Sequence, residues 1–110
     1  MGAPIDTRIY HFHPDRLDPV TVYVEQYGET SSRIVVQCYA RAWTAYWGGH
    51  GNKPVEQFVC ECYPEYVADN LTWGLNGIIV KRREKHEYAY LMRIVQAIQN
   101  HWLPLFKEQQ

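Results

Sequence analysis

Three cysteines and five histidines are the side chains of this chain that most often form zinc sites. Cys60 and Cys62 are two residues apart, and on a helix this offset points them about 200° apart around the axis, so they cannot share one ion. His11 and His13 would face the same side of a strand and could form a zinc site with His50, but no further ligand has diagnostic spacing. We therefore expect no metal and no cofactor.

Groups for nucleophilic or acid–base catalysis also lack a recognisable arrangement. Cys38 or Ser31 could act as a nucleophile with a histidine as its base, yet neither residue lies in a G-x-S-x-G elbow or a comparable motif. Closely spaced carboxylates on predicted short helices are typical of solvated helix faces, and this interpretation applies to Glu56, Glu61, Glu65 and Asp69. We predict that the chain has no catalytic residues and is not an enzyme.

A glycine-rich loop is the first candidate binding site, with the sequence Gly48-Gly49-His50-Gly51. Three glycines in four positions permit positive φ, and we expect at least one of them to adopt it. Lys53 and the predicted start of a helix follow, so free backbone N–H groups and the helix dipole would favour a bound anion. We expect His50 and Trp47 to lie on the functional surface, although a tight turn would also explain the glycines.

A dense group of aromatic residues forms the second candidate site: Tyr39, Trp43, Tyr46 and Trp47. Core packing is one role for them, because large aromatic side chains dominate protein cores. A binding surface is the other, because Trp, Tyr and Arg are enriched at interfaces and Arg41 lies among them. We include Trp43 and Trp47 among the residues expected to contact a ligand or partner.

A short basic run near the start of the last predicted helix is the third candidate, with Lys81, Arg82, Arg83 and Lys85 as possible nucleic-acid contacts. Positive charge opposes the helix dipole at this position, so a partner could favour it, although a solvated helix end is the simpler interpretation. The formal net charge of −1 excludes both a strongly basic nucleic-acid binder and a strongly acidic DNA mimic.

Alternating apolar residues predict the strands that would position these sites. A first strand covers Thr7 to Phe12, and Val20, Val22 and Val24 begin a hairpin that turns between Gly28 and Ser32. The alternation resumes at Ile34, and we expect this third strand to extend as far as Trp47. Ile78-Ile79-Val80 fits either a fourth strand or the entry to a helix.

Helical spacing predicts two short helices and one long helix. Pro54 and Pro64 suit the first positions of the short helices. The long helix carries one apolar stripe of Tyr88, Leu91, Met92, Val95, Ile98 and Trp102, and Pro104 should end it. We predict a single α+β domain over residues 1–110, in which a three- to four-stranded antiparallel sheet is packed by the long C-terminal helix, with a flexible tail over 105–110.

The cellular location follows from what the sequence lacks. No apolar run approaches the roughly 20 residues that span a bilayer. The N-terminus has neither the basic nor the apolar region of a signal peptide. The odd number of cysteines is a poor disulfide framework, so we expect a cytoplasmic protein without membrane contact.

A resemblance to a family of small phage and prophage proteins rests on a W-x-A-Y-W-G-x-x-G pattern and the segments after it. The residues that carry it are Ala42-Trp43-Thr44-Ala45-Tyr46-Trp47-Gly48-Gly49-His50-Gly51, Val55-Glu56-Gln57-Phe58 and Tyr66-Val67-Ala68-Asp69-Asn70-Leu71. The segment that is similar runs from Arg33 to Leu71, and His50 replaces a common methionine. The resemblance implies a phage accessory protein that acts in the host cytoplasm.

Three functions are consistent with these observations. The first is a host-directed inhibitor of the anti-defence kind, such as an anti-CRISPR protein, which binds a host protein complex. The second is a sponge for a nucleotide signal, with the glycine loop and His50 on phosphate. The third is an accessory of phage DNA metabolism that binds single-stranded DNA through the basic run. Each of these functions is compatible with a homodimer.

Overall fold

The computed structural model describes residues 2–73 and 82–107 of the chain. Within these residues the elements are the strands β1 (Asp6–Phe12), β2 (Val20–Gln26), β3 (Ser32–Cys38) and β4 (Arg41–Trp47), followed by the helices α1 (Val55–Glu61), α2 (Pro64–Trp73), α3 (Arg82–Trp102) and α4 (Pro104–Lys107). The predicted α+β fold is confirmed. The run Ile78–Val80 lies outside the described residues.

The four strands form one antiparallel sheet in the order β1-β2-β3-β4. Valines at alternate positions of β2 and the facing residues of β3 are buried on one side, so the predicted hairpin is confirmed. Because the side-chain period of a strand is two, this pattern fixes the register, and Val22 pairs with Val36. One side of the sheet therefore forms the floor of the core.

The prediction of one strand from Ile34 to Trp47 is wrong. The strand ends at Cys38, the chain reverses through Tyr39 and Ala40, and β4 returns with Arg41 opposite Cys38. Tyr39 has a left-handed backbone with φ of 59°, which allows the two-residue turn. Because apolar residues alternate both before and after this turn, the sequence contains no local signal that the chain reverses here.

Helix α3 packs across the core side of the sheet, as the sequence predicts. Its buried stripe contains Leu91, Ile94, Val95, Ile98 and Trp102. The ring of Trp102 meets Tyr10 of β1 edge to face at 5.1 Å between ring centres. Helices α1 and α2 complete the layer with Val55, Val59, Val67, Ala68 and Leu71.

The sequence predicts that Pro104 ends the long helix and that a flexible tail follows it, and the structure agrees with the first of these two predictions. Helix α3 ends at Trp102, and Pro104 opens the short helix α4. Phe106 of α4 is half-buried against the core, so residues 105–107 are helical where the sequence predicts a tail. Residues 108–110 lie outside the described part of the chain. None of the helices within 2–73 and 82–107 has the length and apolar character needed to cross a membrane.

Candidate functional site

The glycine loop places His50 inside the protein. Its side chain is 2% exposed, Nδ1 donates a hydrogen bond to the Lys53 carbonyl at 2.9 Å, and Nε2 lies 3.0 Å from the Ser32 hydroxyl. The His50 backbone N–H also donates to the Thr30 carbonyl at 2.9 Å. The prediction that His50 lies on the functional surface is therefore wrong, because the imidazole joins β3 to the segment that enters α1.

Trp43 and Trp47 are core residues, so their assignment to a binding surface is also wrong. They are 2% and 6% exposed. Trp47 packs edge to face on Phe58 at 5.7 Å and donates its indole hydrogen bond to the Tyr66 hydroxyl at 3.2 Å. Their burial follows from the tight turn before β4, because this turn brings Trp43, Ala45 and Trp47 under the helices and leaves Tyr46 on the other side.

Gly51 and the residues after it also have structural explanations. Gly51 has φ of 84°, which confirms the expected positive φ, whereas Gly48 and Gly49 do not adopt it. The Lys53 ammonium is paired with Glu61. Helix α1 has Glu56 in its first turn, and this negative charge disfavours a bound anion there.

A buried ion pair joins α1 to the edge strand β1. The Glu56 side chain is 2% exposed and accepts two hydrogen bonds from the Arg8 guanidinium, from Nε at 2.6 Å and from Nη2 at 2.9 Å. The Tyr10 hydroxyl donates a third hydrogen bond to Glu56 at 2.6 Å. The prediction that Glu56 lies on a solvated helix face is wrong. Alternate residues of one strand thus hold a carboxylate in the core.

The electrostatics of this cluster favour the ionised carboxylate. Burial raises the pKa of Glu56, but the hydrogen bonds from Arg8 and Tyr10 outweigh it, and the net pKa lies below its usual value. Burial and the hydrogen bond to Glu56 raise the pKa of Tyr10 to about 12. The Glu56 hydrogen bond also raises the pKa of Arg8 above its usual value. At neutral pH the cluster is an ion pair with a neutral phenol.

A cavity of about 820 Å³ lies beside the buried ion pair. Its wall includes Arg8, Tyr10, Lys53, Glu56 and Phe106. The two basic side chains of this wall are already paired within the protein, Arg8 with Glu56 and Asp6 and Lys53 with Glu61. A negatively charged ligand would have to break one of these pairs, so the cluster serves folding better than binding.

The described residues contain no group of side chains that could form a metal site. Within residues 2–73 and 82–107, no three His, Cys, Asp or Glu side chains lie close enough to hold a metal ion. Burial raises the pKa of Cys60 to about 11, which disfavours its thiolate at neutral pH. His11 is exposed and bonds to the Thr21 hydroxyl at 2.7 Å.

The side of the sheet opposite the helices carries a second set of side chains, here called the open face. It consists of Thr7, Ile9, His11, Thr21, Tyr23, Glu25, Arg33, Val35, Gln37, Ala42, Thr44 and Tyr46. The register aligns Ile9, Tyr23, Val35 and Thr44 in a row across the four strands. None of these twelve side chains is buried, and Ile9 and Tyr46 are 62% and 45% exposed.

Charged side chains on the open face are held in place by one another. Arg33 of β3 donates from Nε to Glu25 of β2 at 2.6 Å. The same guanidinium lies over the Tyr27 ring at 5.8 Å from its centre. Glu25 and Arg33 therefore add no net charge to the open face, and their contacts hold the Arg33 guanidinium in place.

The turn between β3 and β4 lies against the beginning of α3. Arg41 Nη1 contacts Glu87 Oε1 at 2.5 Å, and Cys38 Sγ lies 3.2 Å from the Tyr90 hydroxyl. This hydroxyl donates to Asp18 Oδ2 at 2.8 Å. A cavity of about 800 Å³ beside these contacts is lined by residues of the turn and of α3. Contacts between distant parts of the sequence thus bring the turn next to Glu87 and Tyr90 of α3.

The predicted basic run is described only in part. Lys81 lies outside the described residues, Arg82 and Arg83 form the first positions of α3, and Lys85 is exposed. Tyr39, which the sequence groups with the core aromatics, is instead 75% exposed at the tip of the turn between β3 and β4. Sequence reasoning named Tyr39 and Arg41 but did not place them beside the first turns of α3.

The sequence analysis did not predict the cluster of Arg8, Tyr10 and Glu56, although the sequence contains a signal for it. Arg8 and Tyr10 share one side of β1, and Glu56 lies next to the buried Val55 and three residues before the buried Val59. A carboxylate on the apolar stripe of a helix must find a partner, because an unpaired buried charge is costly. Two polar residues on the core side of a strand would have pointed to that partner.

Comparison with known protein families gives a match to a phage family. The model of a phage family, Phage_phiTE_072, matches residues 4–77. This range contains the whole sheet and the helices α1 and α2. No curated protein and no solved structure matches the chain.

Proposed function

The chain belongs to the Phage_phiTE_072 phage family, and from this premise we propose that it is a non-enzymatic accessory protein that binds a host protein and inhibits it. The proposed contact surface is the open face of the sheet. The proposed target is a protein complex of host defence in the cytoplasm, so the chain would act as an anti-defence protein of the anti-CRISPR kind.

Exposure of the open face is the observation that supports the proposal. The described helices all pack on the opposite side of the sheet, where the buried valines of β2 and β3 lie. An amphipathic sheet usually turns a polar face to water. Here that face also carries Ile9, Tyr23, Val35 and Tyr46 among its polar residues, so apolar and aromatic area is available to a partner.

The composition of the open face suits a protein partner. Tyrosine and arginine are enriched among residues that contribute most to protein interfaces. Tyr23 and Tyr46 provide large rigid rings, and Arg33 is already ordered by Glu25 and Tyr27. Ordering these side chains before binding lowers the entropic cost of association. The pairing of the two charges also leaves no net field that would attract a polyanion.

The other candidate sites of the molecule are consistent with inhibition by binding, without a chemical reaction. The polar groups of the glycine loop and of the Glu56 cluster are paired within the protein and support the fold. A protein that works without chemistry must act by covering a surface of its target. A preformed flat sheet face can do this without a change of shape.

An affinity experiment in host lysate tests the proposal with matched variants. Ile9→Arg and Tyr46→Arg place a bulky charge on the open face, and each removes a side chain that is at least 45% exposed. Leu105→Arg and Tyr63→Arg are the controls, since these residues are 51% and 82% exposed elsewhere on the protein. We expect wild type and both controls to retain the same host protein, and both open-face variants to lose it at an unchanged melting temperature.

A plating assay then tests the consequence for defence. Wild type and the Tyr63→Arg control should restore phage growth on a host that carries the defence system whose component was retained, whereas Ile9→Arg should not. Retention of the host protein by all four variants would contradict the open face as the contact surface. A host protein retained without any effect on phage growth would contradict inhibition.

A further inference from the structure

A groove on the helix side of the sheet lies between the β1–β2 loop and the later turns of α3, and it is here called the arginine groove. Its volume is about 590 Å³, which is within the usual range for a small-molecule site. The side chains that shape it include Phe12 and Arg16 from the strand and the loop, and Arg93, Asn100 and His101 from α3. The groove is separate from the open face and does not depend on the proposed host protein.

Arg16 occupies its place in the loop at a conformational cost. The Leu17 N–H donates to the Pro14 carbonyl at 3.3 Å, which closes a turn with Asp15 and Arg16 at its centre. Arg16 has φ of 63°, which in such a turn is usual for Gly or Asn. Its side chain is 87% exposed, so it gains no burial in return. Strain of this kind is often retained at functional positions.

Arg93 is held against the same turn. Its Nη2 donates to the Arg16 carbonyl at 3.2 Å. A guanidinium has further N–H donors in the same plane, so this bond leaves the others for a ligand. The ion pairs among the described side chains do not include Arg93.

Negative charge in the groove is weak. Asp15 is the only acidic residue among the described residues that line it. Its carboxylate lies 4.0 Å from Arg16 Nε, which is beyond hydrogen-bond distance, and it is 98% exposed. Exposed pairs of this kind contribute little. The positive charge of Arg16 and Arg93 is therefore available to a ligand.

The end of the groove at the last turn of α3 has an aromatic surface. The His101 imidazole stacks on the Phe12 ring at 4.1 Å between ring centres, with 3° between the planes. Phe12 covers one face of the imidazole, and His101 remains exposed. The carbonyl end of a helix carries partial negative charge and disfavours an anion. This end therefore suits a flat ring without negative charge.

We propose that the arginine groove binds a nucleoside monophosphate. A phosphate monoester has up to two negative charges and three acceptor oxygens, which suits two guanidiniums that meet at one turn. A carboxylate has one charge and two oxygens, which one guanidinium would satisfy. The phosphate binds to Arg16 and Arg93, and the base stacks on His101, because the carbonyl end of α3 repels the charged group.

Isothermal titration calorimetry at low salt with the four common ribonucleoside monophosphates tests the class of ligand. At least one of the four should bind saturably. Its nucleoside lacks the phosphate, and inorganic phosphate lacks the base, so each should bind about 10-fold more weakly or less. Raised salt should weaken the binding, because the two exposed cations are then screened.

Charge variants test the phosphate contacts. Arg93→Gln and Arg16→Gly should each weaken the nucleotide by about 10-fold or more, because each removes hydrogen bonds to a charged group. Arg41→Gln is the matched control, since it removes a partly exposed arginine outside the groove and should leave the affinity unchanged. Arg16→Gly should also raise the melting temperature, because glycine relieves the positive φ. A purely structural role of Arg16 predicts the opposite sign.

A second pair of variants tests the stack. His101→Ala should weaken the nucleoside monophosphate and leave the affinity for inorganic phosphate unchanged. His101→Phe keeps a ring on Phe12 and should retain the nucleotide.

Three results would overturn the proposal. The first is no saturable binding of any of the four monophosphates. The second is an equal loss of affinity in Arg93→Gln and Arg41→Gln. The third is binding of inorganic phosphate or of the nucleoside as tight as that of the nucleotide, which would assign the groove to a bare anion or to an uncharged ring.

Discussion

The two ends of the sheet use their polar and aromatic residues in opposite ways. At the end next to the glycine loop, His50 and Glu56 are buried and every hydrogen bond they make stays within the protein. At the other end, Tyr39 and Arg41 lie at the tip of a turn, and both are exposed. The glycine loop attracts attention in the sequence, but its polar side chains are enclosed by the fold, whereas those of the β3–β4 turn are exposed.

The difference shows how burial decides the role of a polar side chain. A buried polar group without a partner costs free energy, so a folded protein pairs it internally, and the paired group is then no longer available to a ligand. An exposed group can exchange water for a ligand at much lower cost. Residue type alone therefore does not separate structural from binding residues.

Glu56→Ala should have the largest effect on stability. The substitution leaves Arg8 partly buried without its main partner and should lower the free energy of unfolding by about 3 kcal/mol. Urea denaturation measures this change. Glu61→Ala, at an exposed position of the same helix, should change it by less than about 0.5 kcal/mol. Equal effects of the two substitutions would mean that the ion pair does not hold β1 to α1.

His50→Ala should come next, with a loss of about 2 kcal/mol, because the Ser32 hydroxyl and the Lys53 carbonyl lose a buried partner. His13 is exposed, and His13→Ala should alter stability by less than about 0.5 kcal/mol. If His50→Ala left the unfolding curve unchanged but abolished binding of a partner, the glycine-loop end would have to be considered a site after all.

Tyr10→Phe should lower stability by about 1.5 kcal/mol, because it removes a hydrogen bond to a charged group. It should also change the pH dependence. The pKa of Tyr10 rises from 10.0 in the unfolded chain to about 12 in the fold, so between these values only the unfolded chain has lost the proton, and stability falls as pH rises.

Denaturation curves measured across this range should show a smaller alkaline loss for Tyr10→Phe than for wild type. At acid pH, the lowered pKa of Glu56 has the opposite sign, and stability should fall as pH drops below its ordinary value of 4.5. A Glu56→Gln variant with the wild-type acid slope would contradict this assignment.

Tyr39→Gly should have the smallest effect, and a favourable one. Glycine relieves a left-handed strain of about 1–2 kcal/mol and loses about 0.5–1 kcal/mol in chain entropy, so the free energy of unfolding should rise by about 0.5 kcal/mol. Tyr63→Gly has no such strain to relieve and should lower it. A loss of stability in Tyr39→Gly would show that the ring supports the fold, and would remove the contrast between the two ends.

Local patterns in the sequence determined most of the fold. The alternating valines of β2, the prolines at Pro54 and Pro64 and the apolar stripe of α3 each act over a few residues, through strand pleat, restricted φ and helical period. Positive φ in the glycine loop was predicted for the same reason, although the sequence did not say that Gly51 would be the glycine that adopts it. Such features are visible without knowing what lies opposite them in space.

The reversal at Tyr39, the burial of His50 and the pairing of Glu56 with Arg8 were decided only by the tertiary structure. Each depends on residues far apart in the chain, such as the 48 positions between Arg8 and Glu56. Apolar alternation continues through the Tyr39 turn, so no local signal marked it. Whether a polar side chain binds a partner or supports the core depends on which groups the fold brings within hydrogen-bond distance and away from water, and neither is a property of the local sequence.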